Sequence, residues 1–198
     1  MPPHADRVIG LYEDHAHSFD ADRDRSLFER PWLDAFLGLL PPGASVLDIG
    51  CGMGEPIARY LIERGCRLTG VDAASTMIGL CKDRFPSHEW LVADMRSLDL
   101  GRTFHGLVAW NSFFHLEPDD QRRMFPVFAK HAAPSAALVF TSGDTASEVI
   151  GTYCGEPLYH ASLAPEEYER LLTQHGFQVV HSVAGDPSCT VWLARGMT

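Results

Sequence analysis

The sequence lacks several features that would place it in a specialised class of protein. No apolar run approaches the 18 residues that a spanning helix needs, and the N-terminus shows neither the basic nor the apolar stretch of a secretory leader. Basic residues are few, with 16 lysines and arginines against 26 acidic residues, and the net charge of -10 repels nucleic-acid phosphates and anionic membranes. We therefore expect a cytoplasmic protein whose partners include neither nucleic acid nor a membrane.

Cysteine and metal-ligand patterns are equally sparse. The five cysteines are an odd number at wide spacings without a C-x-x-C pair, which is the pattern of neither a disulfide framework nor a zinc knuckle. His15 and His17 are the only close pair of histidines, and no third ligand of metal-site type is nearby. We expect reduced thiols and no metal site.

The chain does have the composition of one ordinary globular domain, with 198 residues of which 45% are apolar and 21% charged. Apolar periodicity predicts helices over 28–40, 56–64, 75–85, 119–131 and 165–175, and strands over 46–49, 67–72, 89–93, 106–110, 136–141, 177–183 and 190–194. Their alternation favours a doubly wound α/β fold around a mostly parallel, seven-stranded sheet. The last two strands are joined only by residues 184–189, which predicts an antiparallel C-terminal hairpin.

A glycine cluster follows the first predicted strand directly. Gly50, Gly52 and Gly54 lie between that strand and its helix, where a ligand can approach the backbone and the N–H groups of the helix start. A plain turn is the alternative, but a turn rarely needs three glycines. The dinucleotide pattern G-x-G-x-x-G fails because its third position is Glu55, and a pyrophosphate would also meet the charge of Asp48. The loop therefore favours a ligand with a cationic part.

The segment Val46-Leu-Asp-Ile-Gly-Cys-Gly-Met-Gly54 resembles motif I of the class I S-adenosylmethionine-dependent methyltransferases. The resemblance covers about residues 45–142 and implies a Rossmann-like fold with S-adenosyl-L-methionine as cofactor. It implies that Asp72 holds the ribose hydroxyls and that Asp94 lies beside the adenine. The implied cofactor-binding residues are Tyr12, Asp48, Gly50, Cys51, Gly52, Asp72, Ala73, Met77, Asp94, Met95 and Trp110. Simpler roles remain open at this point: Asp48 organising the loop, Asp72 capping a helix, and Asp94 as a solvated loop residue.

The N-terminal segment also resembles part of this family. Tyr12, Ala16 and Phe19 match an aromatic-x3-Ala-x2-aromatic segment that folds over the cofactor in many small-molecule members. The alternative is an amphipathic helix whose aromatic rings only pack in the core. We expect one domain over 1–198, divided into a helical lid (1–40), a cofactor-binding core (45–142), a substrate-side loop (143–163), and a last helix with the hairpin (164–198).

The fourth predicted strand ends in Trp110-Asn-Ser-Phe-Phe-His115, at the place of the family's motif IV. Nucleic-acid and protein-amide methylating members carry Asn/Asp-Pro-Pro-aromatic there, so this chain resembles small-molecule members instead. His115 is the candidate catalytic base for an oxygen or nitrogen acceptor, with a satisfied core histidine as the alternative. The candidate substrate residues are Phe19, Asn111, Phe113, Tyr159 and His160. These aromatic side chains favour a compact, partly apolar acceptor.

The resemblance implies methyl transfer to a small-molecule acceptor by in-line displacement at the sulfonium methyl, in a monomer or homodimer. Such a reaction depends mainly on alignment and exclusion of water. Two other classes stay open: a protein that binds S-adenosylmethionine as a sensor or scaffold without transfer, and a nucleotide-sugar or NAD enzyme. The missing third glycine counts against the last class.

Overall fold

The computed structural model describes residues 4–184 and 189–197 of the chain. Two 3₁₀ turns, at Met95–Ser97 and Phe113–His115, accompany the α-helices. The helices are α1 (His4–Asp14), α2 (Ala16–Asp22), α3 (Arg30–Leu37), α4 (Ile57–Glu63), α5 (Ser75–Arg84), α6 (Pro118–His131) and α7 (Pro165–Gln174). Within these described ranges, no helix combines the length and the apolar character needed to cross a bilayer.

The strands form one large sheet and one separate hairpin. They are β1 (Ser45–Ile49), β2 (Arg67–Asp72), β3 (Glu89–Val92), β4 (Phe104–Ala109), β5 (Ala132–Ser142), β6 (Ser147–Tyr153), β7 (Glu156–Ser162), β8 (Phe177–Val183) and β9 (Thr190–Gly196). The large sheet has the order β3-β2-β1-β4-β5-β9-β8, and only β9 runs antiparallel to its neighbours. This confirms the predicted seven-stranded, mostly parallel sheet with an antiparallel end. Residues 185–188 of the predicted short connection lie outside the described residues.

The direction of winding reverses between β1 and β4. The chain leaves β1 towards β2 and β3 on one side and returns to β4 and β5 on the other. In doubly wound sheets, a crevice opens at such a reversal, beyond the carboxyl ends of the strands, and ligands bind there. The glycine loop after β1 lies at this reversal point.

The sheet is covered by helices on both faces. Leu47 and Ile49 of β1 point into a core with helices α6 and α7, whereas Val46 points into a second core with α3, α4 and α5. Because both faces are buried, the strands read as continuous apolar runs in the sequence. The alternation places Asp48 on the same face as Val46.

Helix α3 packs closely on β4 because of one glycine. A Cβ atom at Gly106 would lie 2.5 Å from the Phe36 ring, so only glycine allows this approach near the start of the strand. Farther along the same face, Leu33 belongs to the core cluster that contains Trp110. Both Leu33 and Phe36 of α3 are fully buried in this core.

The predicted loop over 143–163 is wrong. Most of this segment is the antiparallel hairpin β6–β7, with Tyr153 paired to Glu156 across a two-residue turn. Cys154 and Gly155 have φ angles of +51° and +81°, and a turn with two positive φ angles matches the twist of a hairpin. The Cys-Gly pair was the available signal, with β-branched residues only in the stretch before it.

Candidate active site

A cleft of about 1040 Å³, including its open mouth, lies at the carboxyl ends of β1 to β4. The glycine loop forms its floor, and helices α1 and α2 cover it as a lid. Its walls are formed by residues of the lid, of the glycine loop and of the ends of β1 to β4. These include Tyr12, Asp48, Gly50, Cys51, Gly52, Asp72, Ala73, Met77, Asp94, Met95 and Trp110. The structure thus brings all eleven predicted cofactor residues together in one cleft.

The three glycines of the loop serve different purposes. A Cβ atom at Gly50 would lie 2.3 Å from Ser112 Cβ, and one at Gly54 would lie 3.0 Å from the Phe85 ring. Both glycines are therefore required by packing within the protein. A Cβ atom at Gly52 would meet no described atom within 4 Å, although its φ is +53°. The space beside Gly52 belongs to the cleft, which makes this glycine the one that admits a ligand.

Two carboxylates lie below the loop at neighbouring strand ends. Asp72 accepts hydrogen bonds from the backbone N–H groups of Gly52 and Ala74, each at 2.9 Å, and burial raises its pKa. Asp48 is also buried, and burial together with the charge of Asp72 raises its pKa to about 7. None of the described residues donates a hydrogen bond to the Asp48 side chain. A cation in the cleft would stabilise both charges.

Asp94 has a different environment at the end of β3. Its carboxylate accepts from the backbone and side chain of Arg96, and the same guanidinium also reaches Asp6 of helix α1. Burial opposes the charge, but the hydrogen bonds from Arg96 hold the pKa of Asp94 below its usual value. The carboxylate is engaged within the protein, and Ala93 and Met95 beside it line the cleft.

The lid is held down by polar contacts at several points. Glu13 accepts from the backbone of Thr76 at 3.0 Å and from the hydroxyl of Ser75 at 2.8 Å, which caps helix α5 from the lid. Asp20 of α2 pairs with Arg84 of α5. Because these contacts tie α1 and α2 to the core, they position the lid side chains over the glycine loop.

Tyr12 and His115 meet at the centre of the cleft. The Tyr12 hydroxyl lies 3.2 Å from His115 Nε2, and His115 Nδ1 lies 2.9 Å from the backbone oxygen of Tyr159. A carbonyl only accepts, so Nδ1 carries the proton and Nε2 accepts the hydrogen bond from Tyr12. Burial lowers the pKa of His115 to about 4. The imidazole is therefore neutral at pH 7, and its accepting nitrogen, Nε2, already accepts the hydrogen bond from the Tyr12 hydroxyl.

We expect the buried imidazole to make the protein sensitive to acid. Its folded pKa of about 4 lies below the ordinary value of 6.5, so the unfolded chain binds the extra proton. This contribution to stability is complete above pH 6.5 and is lost as the pH falls towards 4. Relative to His115→Gln, the wild type should lose about 2–3 kcal/mol between pH 7 and 4.5, measured by urea unfolding.

The comparison with His115→Gln isolates this effect, because Asp48 titrates in both proteins and acts in the opposite direction. His181→Gln on the exposed side of β8 is the matched control and should change the stability little at any pH. A constant difference between wild type and His115→Gln across this range would contradict the prediction.

The structure separates the candidate substrate residues into three groups, of which one, Phe113, lies in the core. Phe19 and Asn111 line the cleft. Tyr159 and His160 lie on β7 beside it: the Tyr159 hydroxyl donates to Glu148, and the His160 ring lies 4.7 Å from the His115 ring. The side chains of Tyr159 and His160 do not line the cleft. The hairpin contacts the cleft indirectly, because the backbone oxygen of Tyr159 accepts a hydrogen bond from His115, which does line it.

Phe113 was predicted to be a substrate residue, but it does not line the cleft. Its ring is fully buried and packs against Phe125, Phe128 and Phe140 under the sheet. It reaches this core because Asn111, with φ of +48°, and the following 3₁₀ turn redirect the chain after β4. Phe113 is a core residue, and truncating such a ring to alanine costs about 3–5 kcal/mol of stability.

Sequence reasoning also missed Arg23, which lines the cleft. The spacing Tyr12, Ala16, Phe19, Arg23 continues one face of a helix, and that pattern was the available signal. Among the described residues, no group of three histidine, cysteine, aspartate or glutamate side chains is placed to hold a metal ion.

Three observations fit S-adenosylmethionine in this cleft. The space beside Gly52 admits a ligand against the backbone, and the unpartnered carboxylate of Asp48 suits a cation. The Trp110 Nε1 group is buried without an acceptor among the described residues, so a ligand oxygen can complete it. The chemistry of the donor set therefore matches a nucleoside that carries a cationic amino-acid chain.

Comparisons with known proteins agree with this geometry. A family model described as a methyltransferase domain matches residues 46–135. A malonyl-[acyl-carrier protein] O-methyltransferase of Salmonella typhimurium is 30% identical over 138 residues, covering 69% of this chain and 50% of that protein. A trans-aconitate 2-methyltransferase of an Azoarcus species is 27% identical over 169 residues, covering 74% and 66%. The chain spans less than two thirds of the length of either relative.

A solved structure shows the same fold. The 1,6-didemethyltoxoflavin-N1-methyltransferase of Burkholderia thailandensis, with 1,6-didemethyltoxoflavin and S-adenosylhomocysteine bound, superposes with a TM-score of 0.75 at 20% identity. The match covers 100% of this chain and 92% of that one. Together with the glycine loop and the carboxylate at the end of β2, these matches show that the chain belongs to the class I S-adenosylmethionine-dependent methyltransferases.

Proposed function

We propose that this chain transfers a methyl group from S-adenosylmethionine to a small-molecule acceptor. The observation that carries the proposal is the lid: α1 and α2 lie over the glycine loop, and Tyr12 makes a hydrogen bond to His115 across the cleft. A covered cleft excludes water from the reaction and leaves room for a compact acceptor. The family membership and the names of the relatives support transfer over a purely binding role.

Each strand end has a separate task in this proposal. Asp72 accepts hydrogen bonds from the ribose hydroxyls, and the segment at Asp94 and Met95 flanks the adenine. Asp48 faces the positive charge of the amino-acid chain. When bound, S-adenosylmethionine supplies a methyl group already activated on a sulfonium sulfur. The protein then has to align the acceptor with that methyl group and exclude water.

We assign His115 a positioning role instead of the catalytic role that the sequence predicts. Its accepting nitrogen is occupied by the Tyr12 hydroxyl, and its lowered pKa makes it a weak base. It holds the Tyr12 side chain over the cleft, where the phenol oxygen contacts cofactor or acceptor. We also propose a cytoplasmic location, supported by the thiols of Cys51 and Cys81, which both point at the carbonyl oxygen of Gly52 as free cysteines.

The test follows a labelled methyl group. Protein, methyl-labelled S-adenosylmethionine and a protein-free metabolite extract are incubated, and label is sought in a new small molecule. We expect transfer, and binding of S-adenosylhomocysteine in the micromolar range by calorimetry. Binding without any transfer would favour the sensor or scaffold alternative, whereas NAD binding would favour the dinucleotide alternative.

We expect the preference for the charged cofactor over its product to depend on pH. S-adenosylmethionine carries a sulfonium charge that S-adenosylhomocysteine lacks, and Asp48 gains its charge as the pH rises through about 7. The ratio of the two affinities should therefore rise roughly three- to tenfold from pH 6 to pH 8 in favour of S-adenosylmethionine. Calorimetry at three pH values measures it. The Asp48→Asn protein should show a flat ratio, and the same slope in that variant would exclude Asp48 as its source.

A further inference from the structure

Asn111 is the only asparagine in the chain, and it lines the cleft directly after β4. The residue is exposed even though helices α1 and α2 cover the cleft. An exposed side chain in a covered cleft borders open space, so a ligand can reach its polar end. The asparagine amide has an oxygen that accepts hydrogen bonds and an NH₂ group that donates two. Which end faces the open space decides what Asn111 can bind.

A buried hydroxyl fixes the direction of this amide. Thr141 of β5 is fully buried, and its hydroxyl oxygen accepts a hydrogen bond from the backbone N–H of Asn111 at 2.8 Å. The same hydroxyl donates to Asn111 Oδ1 at 3.2 Å, the one acceptor that its proton reaches among the described residues. The amide oxygen is therefore held against β5. The NH₂ group is turned away from Thr141 and donates to none of the described residues.

This NH₂ group lies on the acceptor side of the cleft. The ends of β2 and β3 carry Asp72 and Asp94, which hold the nucleoside in the proposed function. Strands β4 and β5 lie on the other side of β1, beyond the reversal point of the sheet. Because Asn111 follows β4 and is hydrogen-bonded to β5, its side chain lies away from the nucleoside end.

Three other donors of the cleft wall are already used within the protein. The hydroxyl of Ser112 donates to a backbone oxygen of β1 at 2.8 Å. The Tyr12 hydroxyl donates its single proton to His115 Nε2, and His115 Nδ1 donates to the backbone oxygen of Tyr159. None of these groups has a proton left for the acceptor, whereas the Asn111 amide has two.

The charges around the cleft select against ionised acceptors. An ammonium group can only donate, so it would meet the NH₂ group of Asn111 donor to donor. A carboxylate would be repelled by Asp48 and Asp72. Arg23 is the only lysine or arginine among the described residues that line the cleft, and its natural partner is the carboxylate of the cofactor's amino-acid chain. An uncharged group that accepts hydrogen bonds is what remains.

We infer that Asn111 selects the methyl acceptor by donating from its side-chain amide to an uncharged oxygen or ring nitrogen of that molecule. The inference rests on the proposed function and names its substrate class, a neutral compound with such an atom near the position that is methylated. Thr141 is a positioning residue, because it acts through the direction of the amide. The competing explanation is a role in the fold alone, since asparagine tolerates the φ of +48° at this turn.

The first test identifies the acceptor by its charge. Ion exchange at pH 7 separates the metabolite extract into neutral, anionic and cationic fractions, and each is incubated with the protein and methyl-labelled S-adenosylmethionine. We expect label in the neutral fraction, on a compound that mass spectrometry shows to contain a carbonyl oxygen or a ring nitrogen. Transfer confined to a charged fraction would overturn the inference and keep the proposed function. No transfer in any fraction, with S-adenosylhomocysteine still bound, would count against the proposed function itself.

The second test changes the amide and keeps the turn. Asn111→Gly retains the positive φ without the amide, and Asn111→Asp retains the shape and the bond from Thr141 but replaces the donor with a charged oxygen. We expect the KM of the isolated acceptor to rise about 3- to 10-fold in the glycine variant and more than about tenfold in the aspartate variant. Affinity for S-adenosylhomocysteine should stay within about twofold of wild type. An unchanged KM in both variants would return Asn111 to a role in the fold.

The positioning role of Thr141 is tested in the same assay. Thr141→Val removes the hydroxyl and should raise the KM about as much as Asn111→Gly, whereas Thr141→Ser should restore the wild-type value. In the Asn111→Gly background, Thr141→Val should add no further rise, because no amide is left to orient. A further rise by the same factor would contradict the positioning role.

The contact itself is read by nuclear magnetic resonance. Because Asn111 is the only asparagine, selective ¹⁵N labelling of asparagine side chains gives a single NH₂ signal pair. In the complex with S-adenosylhomocysteine, addition of the isolated acceptor should shift this pair, with one proton moving downfield as its hydrogen bond forms. If S-adenosylhomocysteine alone shifts the pair and the acceptor adds nothing, Asn111 contacts the cofactor and the inference fails.

Discussion

Replacement of Gly52 by valine is expected to abolish binding of S-adenosylhomocysteine in a protein that still folds. The Cβ position of Gly52 meets no described atom within 4 Å and opens to the cleft. A branched side chain there occupies the space in which the ligand is proposed to contact the backbone, while its Cβ atom meets no described atom of the protein. We expect a loss of at least about 100-fold in affinity, which corresponds to about 2.7 kcal/mol, by titration calorimetry.

A control is needed because Gly52 has a positive φ, where a valine is strained whatever the space around it. Gly101 has a φ of +63°, and a Cβ atom there also meets nothing within 4 Å, but it lies away from the cleft. Gly101→Val should lose similar stability, about 1–2 kcal/mol, and keep its affinity. An unchanged affinity in folded Gly52→Val would show that the ligand does not approach this backbone.

Loss of the Asp72 carboxylate is expected to weaken S-adenosylhomocysteine binding about tenfold to more than 100-fold. A hydrogen bond between a buried charged group and its partner contributes about 1.5–3 kcal/mol, and Asp72→Ala removes such contacts to the ribose. The carboxylate also accepts from the backbone of Gly52 and Ala74, so the variant loosens the loop as well. Calorimetry of the alanine variant alone does not separate the two effects.

An analogue of S-adenosylhomocysteine without the 2′-hydroxyl separates them. Wild type should bind this analogue at least about tenfold more weakly than the parent, whereas Asp72→Ala should bind both equally. Asp94→Ala is the matched control, because the Asp94 carboxylate is engaged by Arg96 and should show the wild-type preference for the parent. The same preference in Asp72→Ala as in wild type would mean that this carboxylate only organises the loop.

These two predictions rest on features that were readable in the sequence. The apolar runs, the glycine loop and the acidic residues at strand ends are local patterns, and parallel strands must bring their carboxyl ends to one edge. The seven strands were located within a few residues for the same reason. Most of the eleven residues predicted to bind the cofactor lie at strand ends or in the turns after them, which have little freedom to point elsewhere, whereas Tyr12 and Met77 lie on helices.

The sequence did not reveal which residues the lid and the segment after β4 contact in the folded protein. Asn111 turns the chain with a positive φ, and the next turn sends Phe113 to the core and His115 to the cleft. No periodicity distinguishes the two directions, since a 3₁₀ turn has neither the strand nor the helix repeat. The hairpin β6–β7 was hidden likewise, because β6 is mostly exposed and neither strand has a continuous apolar pattern.

The sequence by itself determined the strands of the large sheet, the glycine loop and the acidic strand ends, because these are local patterns within single βα units. Only the tertiary structure decided the contacts between separate elements. The hydrogen bond between Tyr12 and His115 joins residues 103 positions apart, and the ion pair between Arg23 and Glu29 ties the end of the lid to the start of α3. Such contacts depend on how separate elements meet, and the burial that lowers the pKa of His115 exists only once they have met.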